Sequence, residues 1–332
     1  MNLELLNSLK TYKVKNISII NDPKSRLNAT VKQIYVINMN QDIRKRNYIC
    51  VLFKKYKINY NLIIVDKIDK EVFSKLCKNS LISESELGCC MSHMWCLIHM
   101  LKNELENAII FEDDVILSKN FIEQFLSIHQ SNPKLDFLML GAHDYNFSNN
   151  FKNIKNNMYR PEFDKEKRLY GAHANFYSYN GAKRMFYIRA TNLSFFDNEY
   201  NLLFDTIPDS YICYPNLAIS NMSESGINHE KIILSKNEFE YYSQCFKDIN
   251  LFNYNFIYTN LLDISLAKKE DEVDAFIERC LFKYFNDYDK ITLVKKRFVL
   301  DFFTMDDIKN MLSIHSLITP NSLSKKCIGE NS

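Results

Sequence analysis

Glycine and proline are in short supply, six of each in 332 residues. Lys, Asn, Ile, Tyr and Phe are abundant instead, a bias that an AT-rich coding sequence produces and that carries little chemistry. Neither sign of charge is in excess: 42 Lys and Arg face 40 Asp and Glu, a net +2. No strong field is available to hold nucleic acid or an anionic membrane, so neither is expected as a partner. The nine cysteines include no Cys-x-x-Cys pair, and zinc-binding spacing is absent. An odd number of mostly buried thiols fits a reducing, cytosol-like compartment. No apolar run approaches the ~20 residues of a membrane helix. The start, Met1-Asn2-Leu3-Glu4-Leu5, lacks a basic segment followed by an apolar core, so no signal peptide is expected. The end, Ile328-Gly329-Glu330-Asn331-Ser332, is no ER-retention signal. The expectation is a cytoplasmic protein. Hydrophobic residues at 46% and charged residues at 25% allow a real core. The length allows one large domain or two medium ones.

One stretch organises the rest. Ala108-Ile109-Ile110-Phe111 runs into Glu112-Asp113-Asp114 and resumes with Val115-Ile116-Leu117. A strand core that delivers acids to its C-terminal end reads this way. Three adjacent carboxylates repel one another unless a cation sits among them, and hard divalent cations prefer oxygen ligands. Ligands of open α/β sheets bind outside the carboxyl ends of the strands. The stretch is therefore either a metal site holding a phosphate-bearing ligand or an exposed acidic turn after a core strand.

Around it the chain reads in order as follows. Residues 1–30 are a polar extension or edge element with one apolar patch, Ile17–Ile20. Residues 31–38 are a β-branched strand. Asp42 caps a helix through about Tyr56, and residues 60–66 form a second buried strand ending in Asp66. Strand, helix, strand within about forty residues predicts a βαβ unit and a parallel sheet. Ser83-Glu84-Ser85-Glu86 reads as a capping box opening a helix to about Glu106, with Gly88 set for close helix–sheet approach. A helix near Lys119–His129 and a strand over 135–141 follow. Residues 142–168 are polar and Asn-rich and read as a long loop, either a functional lid or an insertion. Residues 169–178 read as a strand, 182–190 as a helix, and Tyr211–Pro215 as a short strand. From about 236, aromatics recur at helical spacing, which predicts a mostly helical appendage whose aromatic stripe is core. There are no internal repeats.

Four pieces in one order carry a resemblance. They are Ile34-Tyr35-Val36-Ile37-Asn38-Met39 with Arg44 following, Glu86-Leu87-Gly88-Cys89-Cys90-Met91-Ser92-His93, Ile110-Phe111-Glu112-Asp113-Asp114-Val115, and Gly171-Ala172-His173-Ala174-Asn175-Phe176-Tyr177-Ser178 ahead of Gly181-Ala182. Together they resemble glycosyltransferase family 25, which contains lipooligosaccharide and collagen hydroxylysine galactosyltransferases. The resemblance covers roughly residues 32–225. It implies a GT-A type fold, a Rossmann-like and mostly parallel nucleotide-binding sheet. Residues 31–235 would form that domain, with a donor half at 31–141 and an acceptor half at 142–235, and residues 236–332 would be the helical appendage. It implies a UDP-sugar donor, a divalent cation such as Mn2+ (or Mg2+), and inversion at the anomeric carbon. Departures are Met39 and Asn40, where the first motif often carries Leu and Asp, and Ser223-Glu224-Ser225-Gly226, where a Ser-Asp pair is often seen.

The resemblance makes Glu112-x-Asp114 the metal-binding pair, with Asp113 on ribose or sugar hydroxyls. Otherwise one acid ligates and the others cap the next helix. Asn38 and Arg44, at the exit of the first strand, are placed for nucleotide and phosphate, Arg44 otherwise being a solvated helix residue. Asp66 would meet uridine or serve a turn. Ser92 and His93 would line the donor pocket, and His93 equally suits holding its helix against the acidic strand. An inverting transfer needs a base for the acceptor hydroxyl. Asp197 is the leading candidate, with Asp144 and His173 as alternatives. The acceptor would be a glycan or a collagen-like hydroxylysine. Two other readings compete: a non-catalytic sugar-nucleotide-binding scaffold, and a metal-dependent phosphohydrolase, which would show further spaced His or Asp clusters.

Overall fold

Eleven strands and eight helices form over the described residues, and their order follows from where apolar runs are continuous and where they are periodic. The computed structural model describes residues 3–77, 82–118, 120–142, 151–155, 158–161, 171–191, 196, 200–213 and 216–220. The chain opens with α1 (Leu3–Thr11), β1 (Val14–Ile19) and α2 (Arg26–Thr30). Next come β2 (Gln33–Met39), α3 (Ile43–Lys55), β3 (Tyr60–Val65), α4 (Lys70–Leu76) and α5 (Glu84–Lys102). Then follow β4 (Asn107–Glu112), β5 (Val115–Leu117), α6 (Phe121–Ser131) and β6 (Phe137–Met139). The described chain ends with β7 (Phe151–Lys155), β8 (Met158–Pro161), β9 (Ala174–Ser178), α7 (Tyr179–Thr191), α8 (Tyr200–Thr206), β10 (Ser210–Cys213) and β11 (Ala218–Ser220). The predicted appendage at 236–332 lies outside the described residues.

Nine strands make one sheet in the order β1-β3-β2-β4-β9-β6-β10-β8-β7. The expected βαβ unit is present, with β2 parallel to both β3 and β4. The sheet as a whole is mixed rather than mostly parallel. Antiparallel β9 separates β4 from β6, and antiparallel pairs close both edges. Residues 1–30 supply the edge strand β1, paired with β3 from Val14↔Val65 to Ile19↔Tyr60. The 142–168 stretch, expected to be a loop, instead contributes the β7–β8 hairpin at the other edge. Edge strands need only backbone pairing, so their polar, Asn-rich sequence shows no alternation. Arg160 ties the hairpin down. Its guanidinium donates to the Ile207, Pro208 and Phe204 carbonyls at and beyond the C-terminus of α8.

Both faces of the sheet are buried, which is why its central strands are apolar without alternation. Ile34 and Val36 of β2 pack with Ile49, Leu52 and Phe53 of α3 and with Ile109 and Phe111 of β4 on one face. Tyr35 and Ile37 pack with Leu87, Met91, Met94 and Leu97 of α5 and with Ile110 of β4 on the other. The period of two in β4 therefore turns Glu112, two residues past Ile110, toward α5. Both predicted caps form. Asp42 accepts from Lys45 N, and Ser83 and Glu86 make the reciprocal capping box that starts α5. Glycine is required at Gly141, where a Cβ would overlap the Ala218 carbonyl. Gly88 is different: a Cβ there would sit 3.6 Å from Ile68 Cγ1, an ordinary contact, so helix–sheet spacing does not depend on it. No helix among the described residues is long and apolar enough to cross a membrane.

Candidate functional site

The parallel strands β2, β3 and β4 all end on one side of a cleft of about 300 Å³, the low end of the range for small-molecule sites. Its lining includes Met39, Lys45, Asp66, Cys89, Ser92 and the three acids Glu112, Asp113 and Asp114.

The acids part company there. Glu112 faces α5, where its Oε1 accepts from His93 Nε2 at 3.0 Å and from the Cys89 thiol at 3.4 Å. Asp113 and Asp114 turn to α3. Asp113 Oδ2 accepts from Asn38 Nδ2 at 2.7 Å. Lys45 Nζ lies 3.5 Å from Asp113 Oδ1 and 3.7 Å from Asp114 Oδ2, with its side chain only 9% exposed. Asp114 Oδ1 is buried with no hydrogen-bond partner among the described residues.

The electrostatics follow this split. Burial works to raise the Glu112 pKa, but the hydrogen bond and charge of His93, aided by His173 and Cys89, outweigh it and bring it down to about 2. Burial dominates at the pair. It lifts Asp113 to about 6 against the pull of Lys45 and Asn38. It lifts Asp114 to about 7 against Lys45, with the charges of Glu112 and Asp113 adding to the rise. One lysine cannot neutralise two desolvated carboxylates, and the deficit is one positive charge.

The other predicted residues sort by position. Asn38 sits at the exit of β2, donating to Asp113 and to the Asp42 carbonyl while its Oδ1 accepts from Arg46 Nε at 2.8 Å. Arg44 is half-buried and is not part of the cleft lining, and the α3 cation that reaches the acids is Lys45. Asp66 is exposed on the cleft wall and accepts from Asn40 Nδ2 at 2.9 Å. Ser92 donates to the Gly88 carbonyl at 2.7 Å and meets the Tyr12 hydroxyl at 3.0 Å, so the N-terminal segment supports this wall. His93 is fully buried, stacked on Phe196 at 4.4 Å between ring centroids, and pins α5 to the end of β4. His173 is buried beneath the acids, with Nε2 3.3 Å from the Ala218 carbonyl, and burial lowers its pKa. Asp144 and Asp197 lie outside the described residues.

Lys45, Arg46 and Cys89 did not emerge from the sequence. A signal for Lys45 existed. Cations at a helix N-terminus oppose the helix dipole, so Arg44-Lys45-Arg46 directly after the Asp42 cap implies nearby acids. The buried stripe of Tyr48, Ile49, Cys50, Leu52 and Phe53 then places Lys45 and Arg46 on the inward side of the helix, and the structure brings Lys45 to the acids.

A cleft at the carboxyl ends of parallel strands, walled by buried acids and an inward lysine, defines a ligand-binding α/β protein. Comparison with known proteins narrows that class. Residues 31–186 match the model of glycosyltransferase family 25 (LPS biosynthesis protein), so this stretch is similar to that family. A provisionally named glycosyltransferase of Haemophilus influenzae is 27% identical over 131 residues, which cover 36% of this chain and 45% of that protein. The matched stretch thus spans less than half the length of that relative.

Proposed function

We propose that the protein is a metal-dependent, inverting glycosyltransferase of GT-A type. It moves a sugar, galactose or glucose, from a UDP-sugar to an acceptor hydroxyl on a glycan or a collagen-like hydroxylysine. The observation that carries this reading is the buried Asp113–Asp114 pair at the exit of β4, short of one positive charge and with one carboxylate oxygen unsatisfied. An all-oxygen donor set of this kind suits Mn2+ or Mg2+. Asp114 and Asp113 would hold the ion, while Glu112, engaged by His93 and Cys89, stands beside it. A cation bound there would neutralise the departing diphosphate.

The chain's own residues supply the rest. Lys45 adds a fixed positive charge beside the diphosphate. Asn38 holds Asp113 in place, and Arg46 holds Asn38. Asp66, on the cleft wall, is positioned for the uridine or its ribose. The base that takes the acceptor proton would be Asp197, with Asp144 next. His173 is third, because its Nε2 already serves the Ala218 carbonyl.

The decisive measurement is UDP release from a panel of UDP-sugars in Mn2+, with and without glycan and hydroxylysine acceptors. Acceptor-dependent release from UDP-galactose or UDP-glucose is expected. UDP binding with no acceptor-stimulated release from any donor would replace this reading with a non-catalytic sugar-nucleotide-binding one.

A further inference from the structure

Glu112 turns away from its acidic neighbours, and what it turns toward is a second set of metal ligands. Cys89 and His93 are four residues apart on α5, hence on one helix face, and both meet Glu112 at the end of β4. The Cys89 Sγ, the His93 Nε2 and a Glu112 carboxylate oxygen all lie within 4.8 Å of one another. Two edges of that triangle measure 3.0 Å and 3.4 Å. Ligand atoms around a tetrahedral zinc ion, at bond lengths of about 2.0–2.3 Å, are spaced about 3.3–3.6 Å apart. The two edges that meet at Glu112 are within a few tenths of an ångström of that spacing, and the third, from Cys89 Sγ to His93 Nε2, is under 4.8 Å.

We infer that Cys89, His93 and Glu112 form a site for a borderline transition-metal ion of the zinc class, distinct from the Asp113–Asp114 pair. The chemistry of the two sets differs. A thiolate and an imidazole favour zinc-like ions, whereas carboxylates alone favour manganese or magnesium. The two sites would therefore discriminate between metals although they share the sequence Glu112-Asp113-Asp114. The site is also preorganised. Phe196 stacks on His93 and fixes its ring, and burial keeps the imidazole from swinging out. His93 Nδ1 has no partner among the described residues whichever nitrogen carries the proton, so what Nε2 meets decides the tautomer. Three protein ligands leave a fourth position, as in catalytic zinc sites. Cys89 and Glu112 both line the cleft, so that position opens onto it. Binding balances simply. The Cys89 thiol releases its proton to solvent, the His93 proton resides on Nδ1, and Nε2 and the thiolate take the ion. The ion would lock α5 to the exit of β4 and fix the wall of the cleft. None of this depends on the transferase reading.

The test uses the full-length protein, purified under reducing conditions, stripped with chelator and titrated with Co2+. One equivalent should give tetrahedral visible bands and an intense near-ultraviolet thiolate-to-cobalt band that Zn2+ bleaches, and any further equivalent taken up by the Asp113–Asp114 pair should add no thiolate band. Cys89→Ser should lose the near-ultraviolet band, and His93→Gln should weaken binding by more than about tenfold. Cys90→Ser and Asp114→Asn should keep the band. A wild-type spectrum without the thiolate band, or the same band in Cys89→Ser, overturns the assignment. Should Cys89→Ser fail to fold, Zn2+ protection of Cys89 from iodoacetamide in the wild type, read by peptide mass spectrometry, decides the matter. Protection supports the site, and equal labelling with and without Zn2+ overturns it.

Discussion

Replacing Lys45 with Met keeps the length and apolar stem of the side chain while deleting its charge, so it isolates the electrostatics of the acidic pair. In the wild type, Lys45 Nζ sits 3.5 Å from Asp113 and 3.7 Å from Asp114. Each contact is worth about 5 kcal/mol of Coulomb energy at an effective dielectric of about 20, before desolvation is subtracted. Removing one partner of a buried ion pair costs about 3–5 kcal/mol, because the remaining charge is left buried. The carboxylates have an escape, which is to bind protons. Their pKa values already stand at about 6 and about 7, raised by burial, and loss of Lys45, the largest opposing influence, would lift them further. The sign follows from linkage. Unfolded aspartates ionise near 3.8 while the folded pair still holds protons. Their burial therefore costs stability that accumulates as pH rises from about 4 and levels off above about 7. Lys45→Met should thus lose about 3 kcal/mol of unfolding free energy at pH 8 and less than about 1 kcal/mol at pH 5. Denaturant unfolding followed by circular dichroism at the two pH values reads the difference. An equal deficit at both would show that Lys45 acts through packing, and no deficit at pH 8 would refute the charge argument.

Asp114→Ala should abolish Mn2+-dependent UDP binding in calorimetry while leaving the circular dichroism spectrum intact, and unchanged UDP affinity would remove Asp114 from the metal site. Mn2+ affinity of the wild type should fall as pH drops below about 7, roughly tenfold per pH unit for each proton displaced, because the ion competes with protons for acids of raised pKa; an affinity flat from pH 8 to 5.5 would contradict this. Asp197→Asn should retain donor binding while turnover collapses, and near-normal turnover would pass the base to Asp144 or His173. Gly141→Ala should destabilise by about 3 kcal/mol or more, since the new Cβ meets the backbone of Ala218 rather than a side chain that can yield; a thermal scan matching the wild type would refute the close approach.

Local and periodic features were legible without coordinates. Asp42 and Ser83 cap helices because a short side chain at the cap position places its oxygen within reach of the free amides of the first turn, and both caps form as read. Strands β2, β3 and β4 were visible because burial on both faces demands continuous apolar runs. The acidic break at Glu112 was visible because nothing in a core strand calls for three carboxylates. What stayed hidden depends on distance in space. Strand direction beyond β4 was not legible, since a strand's burial does not say which way its neighbour runs, and β9 lies antiparallel between β4 and β6. The β7–β8 hairpin was hidden for the same reason.

The sequence by itself determined that acids leave a core strand beside a βαβ unit, because covalent spacing and hydrophobic period decide that much. Only the tertiary structure decided which acid faces which partner. Glu112 meets Cys89 and His93 because β4 packs on α5 with an even side-chain period, while the turn that follows swings Asp113 and Asp114 to Lys45 of α3. Adjacent residues thereby enter environments that pull their pKa values in opposite directions, a separation set by through-space neighbours that no linear spacing encodes.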